Sequence, residues 1–151
     1  MTGVQTCALP ISRLDEVPDN VFRVSSRLNS TWGGGLVDMV RAQRYLEIIE
    51  EDNLVENARV MGDHLQAGLQ TLQQEFPNLV SNARGRGLFC AFDVRTAAER
   101  NQLRDMAFKR GVVVLGCGER SMRFRPPLTI KANELDEGLE MLRQSLKEMK
   151  A

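Results

Sequence analysis

The spacing of apolar residues changes at Pro77 from a helical pattern to short runs between turns, and this change limits the folds that the chain can adopt. Before Pro77, apolar residues recur every three or four positions, which predicts helices with one apolar face. Asp52-Asn53 interrupts the pattern, so the region forms either one long bent helix or two consecutive helices. The apolar helix positions are Leu36, Met39, Val40, Tyr45, Leu46 and Ile49, followed by Val55, Ala58, Met61, Leu65, Leu69 and Leu72.

After Pro77, short apolar runs alternate with turn residues and one further helical pattern. Thr96 and Glu99 form a capping box, which predicts a helix that ends near Arg110. A last amphipathic helix is predicted over about Asn133 to Met149. Strands are predicted at Leu88–Val94, Val112–Leu115 and Met122–Arg125, with a possible short one at Leu79–Ser81 and a turn at Arg84–Gly87. The order predicts an α+β fold, with helices on one face of a small, mostly antiparallel sheet.

Charge and cysteine content exclude several classes of function. The chain has 151 residues with 20 basic and 20 acidic side chains, so no basic excess favours nucleic-acid binding. No apolar run approaches the roughly 20 residues that span a bilayer. The three cysteines are widely spaced and lack a CxxC pair, which disfavours a disulfide framework or a zinc site and indicates a cytoplasmic setting. His64 is the single histidine and is expected to be solvated.

Two segments are candidate anion sites. Arg123 and Arg125 are predicted on one strand face before Pro126-Pro127, where a fixed guanidinium can bind a carboxylate through two hydrogen bonds. An ordinary exposed strand arginine explains the spacing as well, and spacing alone favours it. Asn29–Gly34 precedes a helix, whose free N–H groups and dipole attract a phosphate, but a plain helix cap is an alternative that the pattern favours.

Three further positions have simpler explanations. Arg84–Gly87 could bind an anion or could be a tight turn into a strand. Cys90 lies in an apolar strand and is predicted to be a buried structural thiol. Cys117 lies in a glycine turn where it could be exposed, but no histidine is near it in the sequence, so no catalytic role is expected.

Three stretches taken together carry a resemblance to a known family. They are SRLNSTWGGGLVDMVRAQRYLEIIEEDNLVENA, RGRGLFCAFDV and GVVVLGCGERSMRFRPPLT. They resemble the C-terminal portion of class III, fold-type I aminotransferases that use pyridoxal phosphate, above all the L-lysine 6-aminotransferases. The 4-aminobutyrate aminotransferases share the second and third stretches. The resemblance extends from about Leu14 to the C-terminus and implies the small C-terminal domain of that fold.

The resemblance implies roles for two residues. Thr31 matches the threonine that hydrogen-bonds the phosphate of the neighbouring subunit's pyridoxal phosphate, which implies a homodimer. Arg123 matches the arginine that binds the α-carboxylate of the amino acid or of 2-oxoglutarate. The implied reaction moves the terminal amino group of L-lysine to 2-oxoglutarate by way of pyridoxal phosphate.

The resemblance also implies that part of the catalytic machinery lies outside this chain. The lysine that forms the Schiff base should precede Thr31, yet no lysine occurs before Lys109. We therefore expect the chain alone to be inactive. The leader MTGVQTCALPI resembles a translated sequencing adapter, so residues 1–11 are expected to be an artefact, residues 12–32 a remnant of the large cofactor-binding domain, and residues 33–151 the small domain.

Two alternatives for function stay open at this point. One is a fragment of a 4-aminobutyrate or other ω-amino acid aminotransferase, because residues that set specificity are expected elsewhere. The other is a stand-alone, non-catalytic α+β domain.

A smaller departure from the family pattern concerns the last helix, where Lys131-Ala132 replaces the usual Ser or Thr cap and is expected to weaken the helix start by about 1 kcal/mol.

Overall fold

The computed structural model describes residues 16–20, 23 and 35–150. The chain divides into two units, Met1–Gln43 and Arg44–Ala151. In the first unit, Asn20 donates hydrogen bonds to the Val17 carbonyl from both its backbone N and its side-chain Nδ2, each at 3.1 Å. These bonds close a turn, which the turn-forming residues Pro18-Asp19-Asn20 predict in the sequence. The sequence also predicts a short extended piece at residues 21–24, which lies, except for residue 23, outside the described residues.

Two consecutive helices come next, α1 (Leu36–Glu51) and α2 (Leu54–Glu75). Asn53 separates them with a φ of 50°, in the left-handed region that asparagine tolerates better than most residues. The predicted interruption is therefore confirmed as a break between two helices. No residue of α1 is buried, whereas the helix α2 buries Leu54, Gly62, Leu65, Leu69 and Leu72.

Four strands form one antiparallel sheet in the order β1-β2-β4-β3. They are β1 (Ser81–Arg86), β2 (Phe89–Asp93), β3 (Leu115–Cys117) and β4 (Ser121–Phe124). The helix α3 (Ala97–Lys109) connects β2 to β3, and α4 (Ala132–Lys150) follows β4. The predicted α+β fold with an antiparallel sheet is confirmed.

The strand boundaries differ from the sequence prediction. Of the possible short strand at Leu79–Ser81, only Ser81 lies in a strand, where it begins β1. Arg84 to Arg86 belong to β1, so the turn predicted at Arg84–Gly87 is wrong for these three residues. It is confirmed only at Gly87, whose φ is 53°. The strand predicted from Val112 begins only at Leu115. The backbone N–H of Val112 bonds to the Ala107 carbonyl at 3.0 Å and so completes the end of α3. Of the three valines at 112–114 only Val114 is buried, and a strand needs a backbone partner in addition to β-branched residues.

At the starts of the helices α3 and α4, side chains accept hydrogen bonds from free backbone N–H groups. The Thr96 Oγ accepts a hydrogen bond from the Glu99 backbone N–H at 3.2 Å, which confirms the predicted cap of α3. At α4, the Glu134 carboxylate accepts from the Lys131 backbone N–H at 2.9 Å. Glu134 thus supplies the reciprocal half of a capping box and compensates in part for the missing Ser or Thr.

The core lies between the sheet and the helices α2, α3 and α4. Phe92 and Phe124 face this core from neighbouring strands, with ring centroids 5.3 Å apart. Side chains with essentially no exposure form its centre: Leu69, Leu72, Phe92, Leu103, Met122 and Leu146. Each buried leucine contributes about 1.5–3 kcal/mol by leaving water, so this helix-covered face anchors the sheet. Among the described residues, no helix has the length and apolar character to cross a bilayer.

Candidate functional site

Polar residues gather on the sheet face opposite the core. The strand register places Arg84 beside Ala91, Ala91 beside Arg123, and Arg123 beside Leu115, so these four residues form one row across the sheet. Met122 and Phe124 flank Arg123 in the strand and are buried in the core. Because side chains alternate along a strand, the Arg123 side chain points away from the helices. We call this surface the open face.

Arg123 is the open-face residue with an unused hydrogen-bonding group. Its Nε atom is buried and has no hydrogen-bond partner in the part of the chain that the structure describes. A buried N–H without a partner is costly, and such atoms in folded proteins usually find one. A guanidinium held on a strand offers a carboxylate two parallel N–H groups. The geometry therefore favours a carboxylate site over an ordinary exposed arginine.

Arg125 does not share this environment. The strand β4 ends at Phe124, so Arg125 lies outside it. The alternation of side chains along the strand therefore does not place Arg125 on the same face as Arg123. Arg125 lines a cleft of about 510 Å³ together with residues of α4 such as Leu135 and Leu142. The structure thus separates the two arginines that the sequence predicted to share a face.

A hydrogen-bonded cluster lies one step along the same face from Arg123. The Asp93 Oδ1 accepts from the Ser121 hydroxyl at 2.6 Å and from the Arg84 Nη1 at 2.9 Å. The Asp93 Oδ2 accepts from the Asn82 Nδ2 at 2.9 Å. The Arg84 Nη2 also donates to the Ser121 hydroxyl at 3.2 Å, so the cluster joins β1, β2 and β4. We call these four residues the Asp93 cluster.

The cluster fixes the charge of its central carboxylate. Burial by itself raises the pKa of the Asp93 carboxyl, but hydrogen bonds from Ser121, Asn82 and Arg84 outweigh it and hold the pKa below its ordinary value. Asp93 is therefore an anion at neutral pH with three side-chain donors. The Arg84 guanidinium already binds the Asp93 carboxylate. This contact disfavours the predicted alternative that Arg84–Gly87 binds an external anion.

The two described cysteines differ in burial as the sequence predicted, but Cys117 lies in the strand β3 and not in the predicted turn. Cys90 is buried, its Sγ donates to the Gly87 carbonyl at 3.3 Å, and burial raises the pKa of its thiol. Cys117 is exposed. Neither is bonded to another cysteine among the described residues.

His64 is exposed, as the sequence predicts, and it also contacts a residue of α4. Its Nε2 lies 2.6 Å from the Asp136 Oδ1 of α4, and its side chain is 40% exposed. The sequence could not show this pair because 72 residues separate the two partners. The contact ties α2 to α4. No group of three or more metal-ligating side chains occurs within the described ranges.

The described residues do not form a complete pyridoxal phosphate site. That cofactor requires a lysine amine for its Schiff base. The four lysines lie in or beside the helices α3 and α4, and none is in a strand of the open face: Lys109, Lys131, Lys147 and Lys150. Thr31, the predicted phosphate ligand, lies outside the described residues. The open face therefore presents one carboxylate-binding candidate and not the reactive amine.

Sequence reasoning missed the Asp93 cluster. Its members come from three strands and are separated by up to 39 positions, from Asn82 to Ser121. The only local signal was an aspartate that ends an otherwise apolar strand. The strand register then decides which residues meet, and it depends on pairings that a single sequence does not reveal.

Comparisons with known proteins agree with the geometry. A profile of the family described as Aminotransferase class-III matches residues 9–146. The L-lysine-epsilon aminotransferase of Mycobacterium tuberculosis is 49% identical over 143 residues, which are 94% of this chain and 32% of the relative. Mouse mitochondrial 4-aminobutyrate aminotransferase is 39% identical over 112 residues, which are 73% of this chain and 22% of the relative.

A solved structure extends the comparison to three dimensions. Lysine aminotransferase from M. tuberculosis superposes with a TM-score of 0.81 at 50% sequence identity, covering 90% of this chain and 31% of that one. The chain thus spans about a third of the length of the lysine aminotransferases that it matches. The expected small-domain fold, the antiparallel sheet and the family profile all agree. The chain belongs to the class-III aminotransferase family.

Proposed function

We propose that this chain is part of an aminotransferase that moves the terminal amino group of L-lysine to 2-oxoglutarate, with pyridoxal phosphate as cofactor. The family membership and the greater identity to lysine enzymes than to 4-aminobutyrate enzymes support the amino donor. The single observation that carries the site is the buried Nε of Arg123 on the open face, which has no hydrogen-bond partner among the described residues. In this proposal Arg123 binds the α-carboxylate of lysine or 2-oxoglutarate.

The remaining elements of the proposal follow from the resemblance. Thr31 is assigned to the phosphate of the cofactor held by a neighbouring subunit, which makes the whole protein a homodimer. The unpaired cysteines of the described part fit a cytoplasmic protein. No described lysine accompanies Arg123, so we propose that the 151-residue chain by itself is inactive.

The carboxylate assignment is tested in the full-length protein that carries this chain. Arg123→Gln keeps the length of the side chain but removes its charge and its paired N–H groups. We expect the KM for 2-oxoglutarate to rise by about 10² or more, because a charge-assisted bidentate contact contributes roughly 3 kcal/mol. Arg95→Gln is the matched control, since Arg95 pairs with Glu99 on α3, away from the open face. An unchanged KM in Arg123→Gln would refute the assignment.

The inactivity of the chain has its own test. The purified 151-residue chain is incubated with pyridoxal phosphate, lysine and 2-oxoglutarate, and glutamate is measured. Turnover above the rate with free pyridoxal phosphate would show that a lysine of this chain serves the reaction. Sequencing the source DNA upstream of the Ser12 codon shows whether the frame continues into a segment with a family-type lysine.

A 4-aminobutyrate aminotransferase is the second candidate, favoured by the 39% identity to the mouse enzyme. Both substrates carry a terminal amine, and they differ in the α-amino group that only lysine has. The ratio of kcat/KM for lysine to that for 4-aminobutyrate separates the two candidates. A ratio well above 1 supports the lysine enzyme, and a ratio well below 1 supports the second candidate.

A further inference from the structure

Arg123 shares the open face with a carboxylate that could bind it. Asp93 is paired with Ser121, and Arg123 lies two residues farther along the same strand and on the same face. Diagonal neighbours across an antiparallel pair have Cα atoms about 7–8 Å apart, which long side chains can bridge. At this spacing the guanidinium of an arginine can reach an aspartate carboxylate and form an ion pair. Arg123 and Asp93 form none.

The contacts of Asp93 explain why the pair is absent. Both carboxylate oxygens are occupied by Ser121, Arg84 and Asn82. With three side-chain donors already bound and only 11% of its side chain exposed, the Asp93 carboxylate has little room for a further cationic donor. Arg84 supplies the only positive charge among the three, and it reaches Asp93 from β1, on the far side of β2 from Arg123.

We propose that Arg84 is a positioning residue, which occupies Asp93 and thereby keeps the Arg123 guanidinium available for a substrate carboxylate. The inference rests on the proposed role of Arg123 and adds a specific requirement to it. Without Arg84, Asp93 keeps its charge on the same face but loses its cationic partner. Arg123 then supplies the missing cation, and a substrate carboxylate has to compete with Asp93 for it.

The test uses the full-length protein, with glutarate as an unreactive five-carbon dicarboxylate and isothermal titration calorimetry as the readout. Arg84→Gln should weaken glutarate binding by about three- to tenfold, the range in which a partly buried ion pair competes. Adding Asp93→Asn to that variant should restore the affinity, because the competing charge is gone. Arg95→Gln should leave it unchanged.

The position of the Arg123 side chain in a crystal structure distinguishes the proposed positioning role of Arg84 from a purely structural one. A crystal structure of Arg84→Gln should show the Arg123 guanidinium within about 4 Å of the Asp93 carboxylate. An Arg123 that keeps its conformation while affinity falls would overturn the inference. So would a loss that Asp93→Asn does not restore, since Arg84 would then contact the ligand itself.

Three further outcomes are distinguished by comparing the variants at Arg84 and Arg123. If Arg84→Gln does not fold, Arg84→Lys replaces it, since lysine keeps the positive charge but lacks the paired, planar N–H groups that contact Asp93 and Ser121. A smaller loss, again restored by Asp93→Asn, is expected. If Arg123→Gln itself leaves glutarate binding unchanged, the proposed function of Arg123 fails and this inference fails with it. If Arg123→Gln abolishes binding while Arg84→Gln has no effect, only the positioning role is wrong.

Discussion

The Cβ atom that Gly62 lacks would lie 2.2 Å from the carbonyl carbon of Gly87. The helix α2 therefore contacts the β1–β2 turn backbone to backbone at this point. Gly87 itself has a φ of 53°, a left-handed backbone conformation that residues with a side chain adopt only at an energetic cost. The two glycines together allow the helix layer to approach the sheet closely.

The Gly62→Ala substitution should destabilise the chain although alanine is the better helix former. The new methyl group has to push two backbone segments apart, and overpacking of this kind costs about 1–3 kcal/mol. Urea denaturation followed by circular dichroism gives the free energy of unfolding. A variant as stable as the parent would show that α2 does not approach the turn as described.

Gly138 is the matched case in another helix. Nothing lies within 4 Å of a Cβ built on Gly138 in α4. Gly138→Ala should therefore raise the free energy of unfolding by about 0.5–1 kcal/mol, because alanine loses less backbone entropy in a helix. The same denaturation experiment measures it, and destabilisation would mean that this position is covered.

The loss of the Thr96 cap should be visible in stability. Thr96→Ala removes the oxygen that accepts from the Glu99 backbone N–H, and should cost about 1 kcal/mol. Thr96→Ser keeps the hydroxyl and serves as the control. Equal destabilisation by both substitutions would attribute the effect to the methyl group and not to the cap.

Asp93 should make stability depend on acid pH. Its pKa in the folded chain lies below the ordinary value of about 3.9, so its stabilising contribution is complete above that value and is lost as the pH falls through the folded pKa. Asp93→Asn should therefore reduce the decline in the free energy of unfolding below about pH 4. The comparison requires urea denaturation at several pH values. Parallel declines in both proteins would contradict the contribution of Asp93.

The two described cysteines should differ in reactivity. Burial raises the pKa of the Cys90 thiol and shields it, whereas Cys117 is exposed. Brief treatment with iodoacetamide followed by peptide mass spectrometry should find Cys117 modified and Cys90 protected until the chain is unfolded in urea. Modification of Cys90 at a comparable rate in the native chain would show that its strand opens readily.

Local chemistry in the sequence determined much of the fold. The apolar spacing of Leu65, Leu69 and Leu72 places one face of α2 in the core, because a helix brings residues three and four apart onto one side. The Thr96 hydroxyl and Asn53 mark a helix start and a helix break through contacts or backbone preferences within a few residues. The class of the fold follows from the order of such segments.

Tertiary structure decided what the sequence left open at the candidate site. The position of Arg123 in a strand was predictable, but its buried Nε, which has no partner among the described residues, depends on what packs around that strand. The contacts among Arg84, Asp93 and Ser121 depend on the register of three strands. A shift of one strand by one residue would move its side chains to the other face of the sheet. Register is fixed by the burial of the whole sheet against its helices, which no local segment encodes by itself.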